Sequence, residues 1–112
     1  MRYRPYIPQD ISELIDHVMS MMLGAPLFKD RVGYFPEMNI GTEFFALNEG
    51  LLACRKKLGE ERYATLKALS DKMRALFEAD PEDKTGDTKA GREIIHEMED
   101  ILISAARRQG PK

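Results

Sequence analysis

TEFFALNEGLLACRKKLG, residues 42–59, is the stretch on which the fold turns. Read at about 100° per residue, Phe44, Leu47, Leu51, Cys54 and Leu58 form one apolar stripe and Phe45 with Leu52 forms another. That spacing belongs to a helix. Two stripes predict neighbours on two sides, and therefore a central helix. Thr42 or Asn39 supplies a cap and Gly59 a stop.

Working outward, the same period recurs on both sides. Ile11, Leu14, Ile15, Val18, Met21 and Met22 share one face of a first helix that starts near Pro8 to Asp10 and stops at Gly24. Beyond Gly59, a third helix from Glu60 to about Ala79 places Leu66, Leu69, Met73, Leu76 and Phe77 on one side. A fourth, from about Thr88 to Arg108, does so with Ile94, Ile95, Met98, Ile101, Leu102 and Ala105, and Gly110 with Pro111 ends it. No run alternates in the manner of a strand. The expectation is an all-α chain: a four-helix, mainly antiparallel, up-and-down bundle, because short links make neighbours antiparallel. Residues 1–8 read as an extended arm and 109–112 as a tail. The one long connection, APLFKDRVGYFPEMNIG at 25–41, carries Phe28, Tyr34 and Phe35, and long loops in small domains serve function or cover a core.

The composition narrows the function classes. The 112 residues suit one domain with its own core. Seventeen basic and nineteen acidic residues, net −2, are interspersed, so no basic field awaits a nucleic acid. No apolar run reaches the roughly 20 residues of a membrane span. The lone Cys54 forms no internal disulfide, and MRYRPYIPQD has no apolar region behind its arginines, which points to the cytoplasm.

Catalytic and metal readings fare poorly. Asp83-Lys84-Thr85-Gly86 matches part of the aspartyl-phosphate motif of P-type ATPases, but a helix precedes it where that motif needs a strand. A calcium loop starting at Asp80 puts Gly86 at its seventh position instead of its sixth, and Gly91 where a glutamate belongs. Glu93, His96, Glu97 and Asp100, echoed by Glu13, Asp16 and His17, contain the Glu-x-x-His spacing of di-iron bundles. His96 and the three acids nevertheless point away from the apolar face of their helix. Cys54 on an apolar stripe reads as a buried, inert thiol. No cofactor, no metal and no enzymatic activity are expected.

Binding is what remains. FEADPEDKTGD, residues 77–87, packs acids into the turn before the last helix with Lys84 alone against them. Capping explains Asp80, Pro81 and Asp87, with Asp87 or Thr88 opening the last helix, but leaves Glu78, Glu82 and Asp83 beside the negative end of the third helix. Asp80, Glu82, Asp83 and Asp87, with Tyr34 and Phe35 of the long loop, are accordingly the candidate partner-binding residues. Asn48 and Arg55, between the two stripes of the second helix, require partners when partly buried, and are candidate polar contacts of an interior pocket.

LFKDRVGYFPEMNI (27–40), LNEGLLACRKKLGEERYATL (47–66) and MRALFEADPEDKTG (73–86), about half of the chain, resemble the small immunity proteins that bacteria keep beside secreted toxins in contact-dependent and type VI antagonism. The resemblance implies a cytoplasmic, non-catalytic protein that neutralises a cognate toxin domain by direct binding. The alternative reading is a small-ligand sensor or enzyme using an interior pocket of the bundle. A homodimer through exposed apolar positions is compatible with both.

Overall fold

The computed structural model describes residues 5–29 and 38–109, without the side chains of 108 and 109. The described residues form five helices and no strand: α1 (Ile11–Gly24), α2 (Ile40–Ala53), α3 (Arg55–Leu58), α4 (Glu60–Ala79) and α5 (Asp87–Gln109). None is long and apolar enough to cross a membrane.

Local chemistry sets the ends. The Asp10 carboxylate accepts the Glu13 N–H at 2.8 Å and opens α1. Asn39 opens α2 with a reciprocal box: its side chain accepts the Thr42 N–H at 3.0 Å, while the Thr42 hydroxyl accepts the Asn39 N–H at 2.9 Å. The expected single helix over 42–58 is in fact two. At Cys54 the backbone turns (φ −98, ψ 6), and α3 restarts for one turn before Gly59, at φ +85, ends it. That break makes five helices where four were expected.

Packing follows the first apolar stripe of each helix. α4 lies against α5, α5 against α1, α1 against α2, and α2 against α4. At the centre three buried rings meet: Phe28 is 5.9 Å from Phe44 and 5.5 Å from Phe77 between centroids, both edge-on. Phe28 belongs to the long connection, so part of that loop is core. Its backbone takes a left-handed φ of +58 in order to aim the ring inward. On the arm, Pro8 packs so tightly onto Gly50 of α2 that a β-carbon there would lie 3.0 Å from Pro8 Cδ and 2.9 Å from Leu14 Cδ2.

The second stripe of α2 is a correction. Phe45 is 55% and Leu52 49% exposed. α1 and α4 both pack around the Phe44–Leu47–Leu51–Cys54 stripe, and the opposite side of α2 faces solvent, so α2 is not a central helix.

Gly91 of α5 offers a sharp test of the packing. In an open helix Gly→Ala stabilises by roughly 1 kcal/mol. Here a β-carbon would sit 2.5 Å from Phe77 Cε1, a ring held by two other rings. Gly91→Ala is expected to destabilise by about 1–3 kcal/mol, read as a lowered urea midpoint; a raised midpoint would show that Phe77 has room to move.

Candidate functional site

The turn between α4 and α5 winds around one carboxylate. Asp80 is buried, and its Oδ1 accepts the N–H groups of Lys84 at 2.7 Å and Thr85 at 3.2 Å, while Oδ2 accepts the Thr88 N–H at 3.0 Å. The Thr88 hydroxyl returns a bond to the Asp80 carbonyl at 2.9 Å. Asp80 thus caps α5 from eight residues upstream, a role expected of Asp87 or Thr88. Its charge stands at the unfavourable end of α4 and the favourable end of α5, and the amides of α5 decide the balance. Burial alone would raise the carboxyl, but the N–H groups of Lys84, Thr88 and Thr85 outweigh it and hold the pKa at about 2. As a partner-binding residue Asp80 is therefore corrected: its oxygens are directed inward and occupied.

The remaining acids of the turn face outward, and they are largely matched. Glu82 pairs with Lys84 at 2.9 Å, Asp83 with Arg92 of α5 at 3.5 Å, and Glu78 with Arg74 at 3.1 Å. Arg92 also donates to the Ala25 carbonyl at 3.3 Å, tying this turn to the end of α1. Asp83 adopts φ +56 and Gly86 φ +91, so the turn has a defined shape. Asp87 is half-buried. Tyr34 and Phe35 lie outside the described residues.

Asn48 and Arg55 are engaged elsewhere than in an interior pocket. Asn48 Oδ1 accepts the hydroxyl of the fully buried Ser70 at 2.8 Å, joining α2 to α4. Arg55 sits at the surface, gripping Glu60 at 2.7–3.1 Å and stacking 4.6 Å above the Tyr63 ring. Cys54 is buried, and that burial pushes its thiol up, away from the nucleophilic thiolate. Glu93, His96, Glu97 and Asp100 are exposed, and among the described residues no three His, Cys, Asp or Glu converge as a metal site.

A different concavity emerges where the arm crosses α1 and α2. Pro5, Tyr6, Pro8, Glu13, Asp16, His17 and Glu43 line a groove of about 380 Å³. The Tyr6 hydroxyl donates to both oxygens of Glu13, at 2.9 and 3.0 Å, and the Gln9 N–H adds a third bond at 2.7 Å. The Tyr6 pKa is raised by this bond to an acid. His17 Nε2 lies 3.1 Å from the Glu43 carbonyl, which makes it the donor nitrogen. Among the described residues no Lys or Arg lines the groove, and neither Glu13 nor Asp16 forms an ion pair. Acids gathered in a concavity focus negative potential on whatever enters. Glu13, Asp16 and His17 share one side of α1 by their three-four spacing, which is legible locally. Tyr6 and Glu43 arrive only through folding.

Compared with known proteins, the chain matches no family model, no curated protein and no solved structure.

Proposed function

We propose that this chain is a non-catalytic cytoplasmic binding protein of the immunity type, whose four long helices form an up-and-down, mainly antiparallel bundle with one long loop between α1 and α2. It neutralises a cognate toxin domain by gripping a basic surface of it. The observation that carries this reading is the groove under Tyr6, whose lining brings Glu13, the exposed Asp16 and Glu43 together with, among the described residues, no Lys or Arg. A guanidinium or ammonium group from a partner meets acids there and an aromatic wall beside them. The α4–α5 turn supports the reading less, since Lys84, Arg74 and Arg92 already offset its acids. The groups with chemical potential, Cys54 and Asp80, are committed to the core and to the turn.

Growth rescue tests this. Co-expression of the chain with the toxin domain encoded beside it should protect the host, and the purified pair should form a stoichiometric complex. Asp16→Lys, at an exposed position, should slow association at low salt about tenfold or more while shifting the melting temperature by no more than a degree or two. Glu82→Lys should have a smaller effect, because its acid is already paired. A toxin that binds the Asp16→Lys variant at the wild-type rate would remove the groove from the interface, and failure to protect would remove the immunity reading itself.

A further inference from the structure

Phe45, Glu49 and Leu52, four and three residues apart, share one exposed side of α2, and the exposed Lys56 follows four residues on, in α3 beyond the break at Cys54. This is the spacing of a helix–helix seam, with large apolar groups at alternate positions and opposite charges between them. Phe45 and Leu52 stand half out in solvent. Among the described residues, Glu49 and Lys56 form no ion pair, whereas the nearby Arg55, Lys67 and Arg74 are taken by Glu60, Asp71 and Glu78. Glu49 and Lys56 stand on either side of the break at Cys54 and are not paired with one another.

We propose that this seam is a self-association face on which a second copy of the chain packs antiparallel, α2 against α2, across a two-fold axis near residues 50 and 51. Antiparallel pairing sets each Phe45 against the aliphatic stem of the second copy's Lys56. That ammonium then reaches Glu49 of the first copy, and the two Leu52 side chains meet beside the axis. Both ion pairs form at once because a two-fold interface is isologous. An unrelated partner would need a matching pattern of its own, whereas a second copy carries it by symmetry. The exposed Ala53 leaves space for close approach. With only two large apolar side chains contributed by each copy, the association is weak and concentration-dependent. It is independent of the groove, which involves other residues.

Sedimentation equilibrium between about 10 µM and about 1 mM covers the range in which a weak interface of this size populates. The average mass should rise from that of the monomer toward twice that value. Phe45→Ser with Leu52→Ser should stay monomeric at all concentrations with an unchanged circular dichroism spectrum. Glu49→Lys sets like charges together and should weaken the dimer about tenfold or more, and adding Lys56→Glu should restore it to within about threefold. A chain that is monomeric throughout, a dimer that survives the double serine change, or a charge swap that does not recover association would each overturn the proposal. None of these outcomes bears on toxin neutralisation through the groove, which the monomeric variant should retain.

Discussion

Phe77→Ala should lower the unfolding free energy by about 3–5 kcal/mol, the range for deleting a buried ring. The side chain is 1% exposed. Its ring stands 5.5 Å from that of Phe28 and 6.4 Å from that of Phe44, and its other edge rests against the backbone of α5 at Gly91. The cavity left behind is therefore bounded by two rings and a helix backbone, none of which can collapse into it cheaply. The substitution also removes one of the two rings against which Phe28, at a left-handed φ of +58, is packed. A domain of this size has roughly 5–15 kcal/mol in total, so the variant should be near its unfolding midpoint in mild urea. Phe45→Ala, at the half-exposed ring of the same helix as Phe44, should cost under about 1 kcal/mol. Equal losses at the two positions, measured by urea titration with unchanged slope, would show that the three-ring cluster is not the centre of the core.

Asp80→Asn should be the most damaging change outside the apolar core. The amide keeps one acceptor oxygen for Lys84 and Thr85, but its NH₂ group then faces the Thr88 N–H, donor against donor, in a buried place. The melting temperature should fall on the order of 10 °C, while Glu82→Gln, two residues away and exposed, should leave it nearly unchanged. The wild-type protein should also carry an acid limb that the variant lacks. The folded carboxyl titrates at about 2 against an ordinary value of 3.8. As pH falls, the unfolded chain therefore takes up the proton first. The stabilisation is complete above about pH 4 and is lost as pH falls through about 2. Thermal melts of both proteins from pH 7 to pH 2 check this: the gap between them should be constant near neutrality and close in acid. A gap that stays constant to pH 2 would mean that the charge of Asp80 does not hold the turn.

What the sequence alone determined was which stretches are helical, which of their residues share an apolar face, and most of the points at which the helices start and stop. Asp10, Asn39, Gly24 and Gly59 act on their immediate neighbours, and the three-four period of Leu14, Val18 and Met21, or of Ile94, Ile95 and Met98, is a property of a single helix. Such signals need no knowledge of the rest of the chain. The break at Cys54 escaped because one turn-shaped residue inside an apolar period leaves no mark on that period. Tertiary structure alone decided how many neighbours cover a face. Phe45 and Leu52 repeat as regularly as Leu47 and Cys54, yet only the latter pair meets other helices. It also decided the sense of each charge. Asp80 and Glu82 are alike in sequence, but one accepts N–H groups up to eight residues away and the other pairs with Lys84 at the surface. Arg92 reaches the turn from the next helix, and Glu43 joins Glu13 and Asp16 from across a helix pair. Periodicity records direction relative to one axis, while burial and charge pairing depend on the relative placement of several axes, and that placement is fixed only when the helices pack.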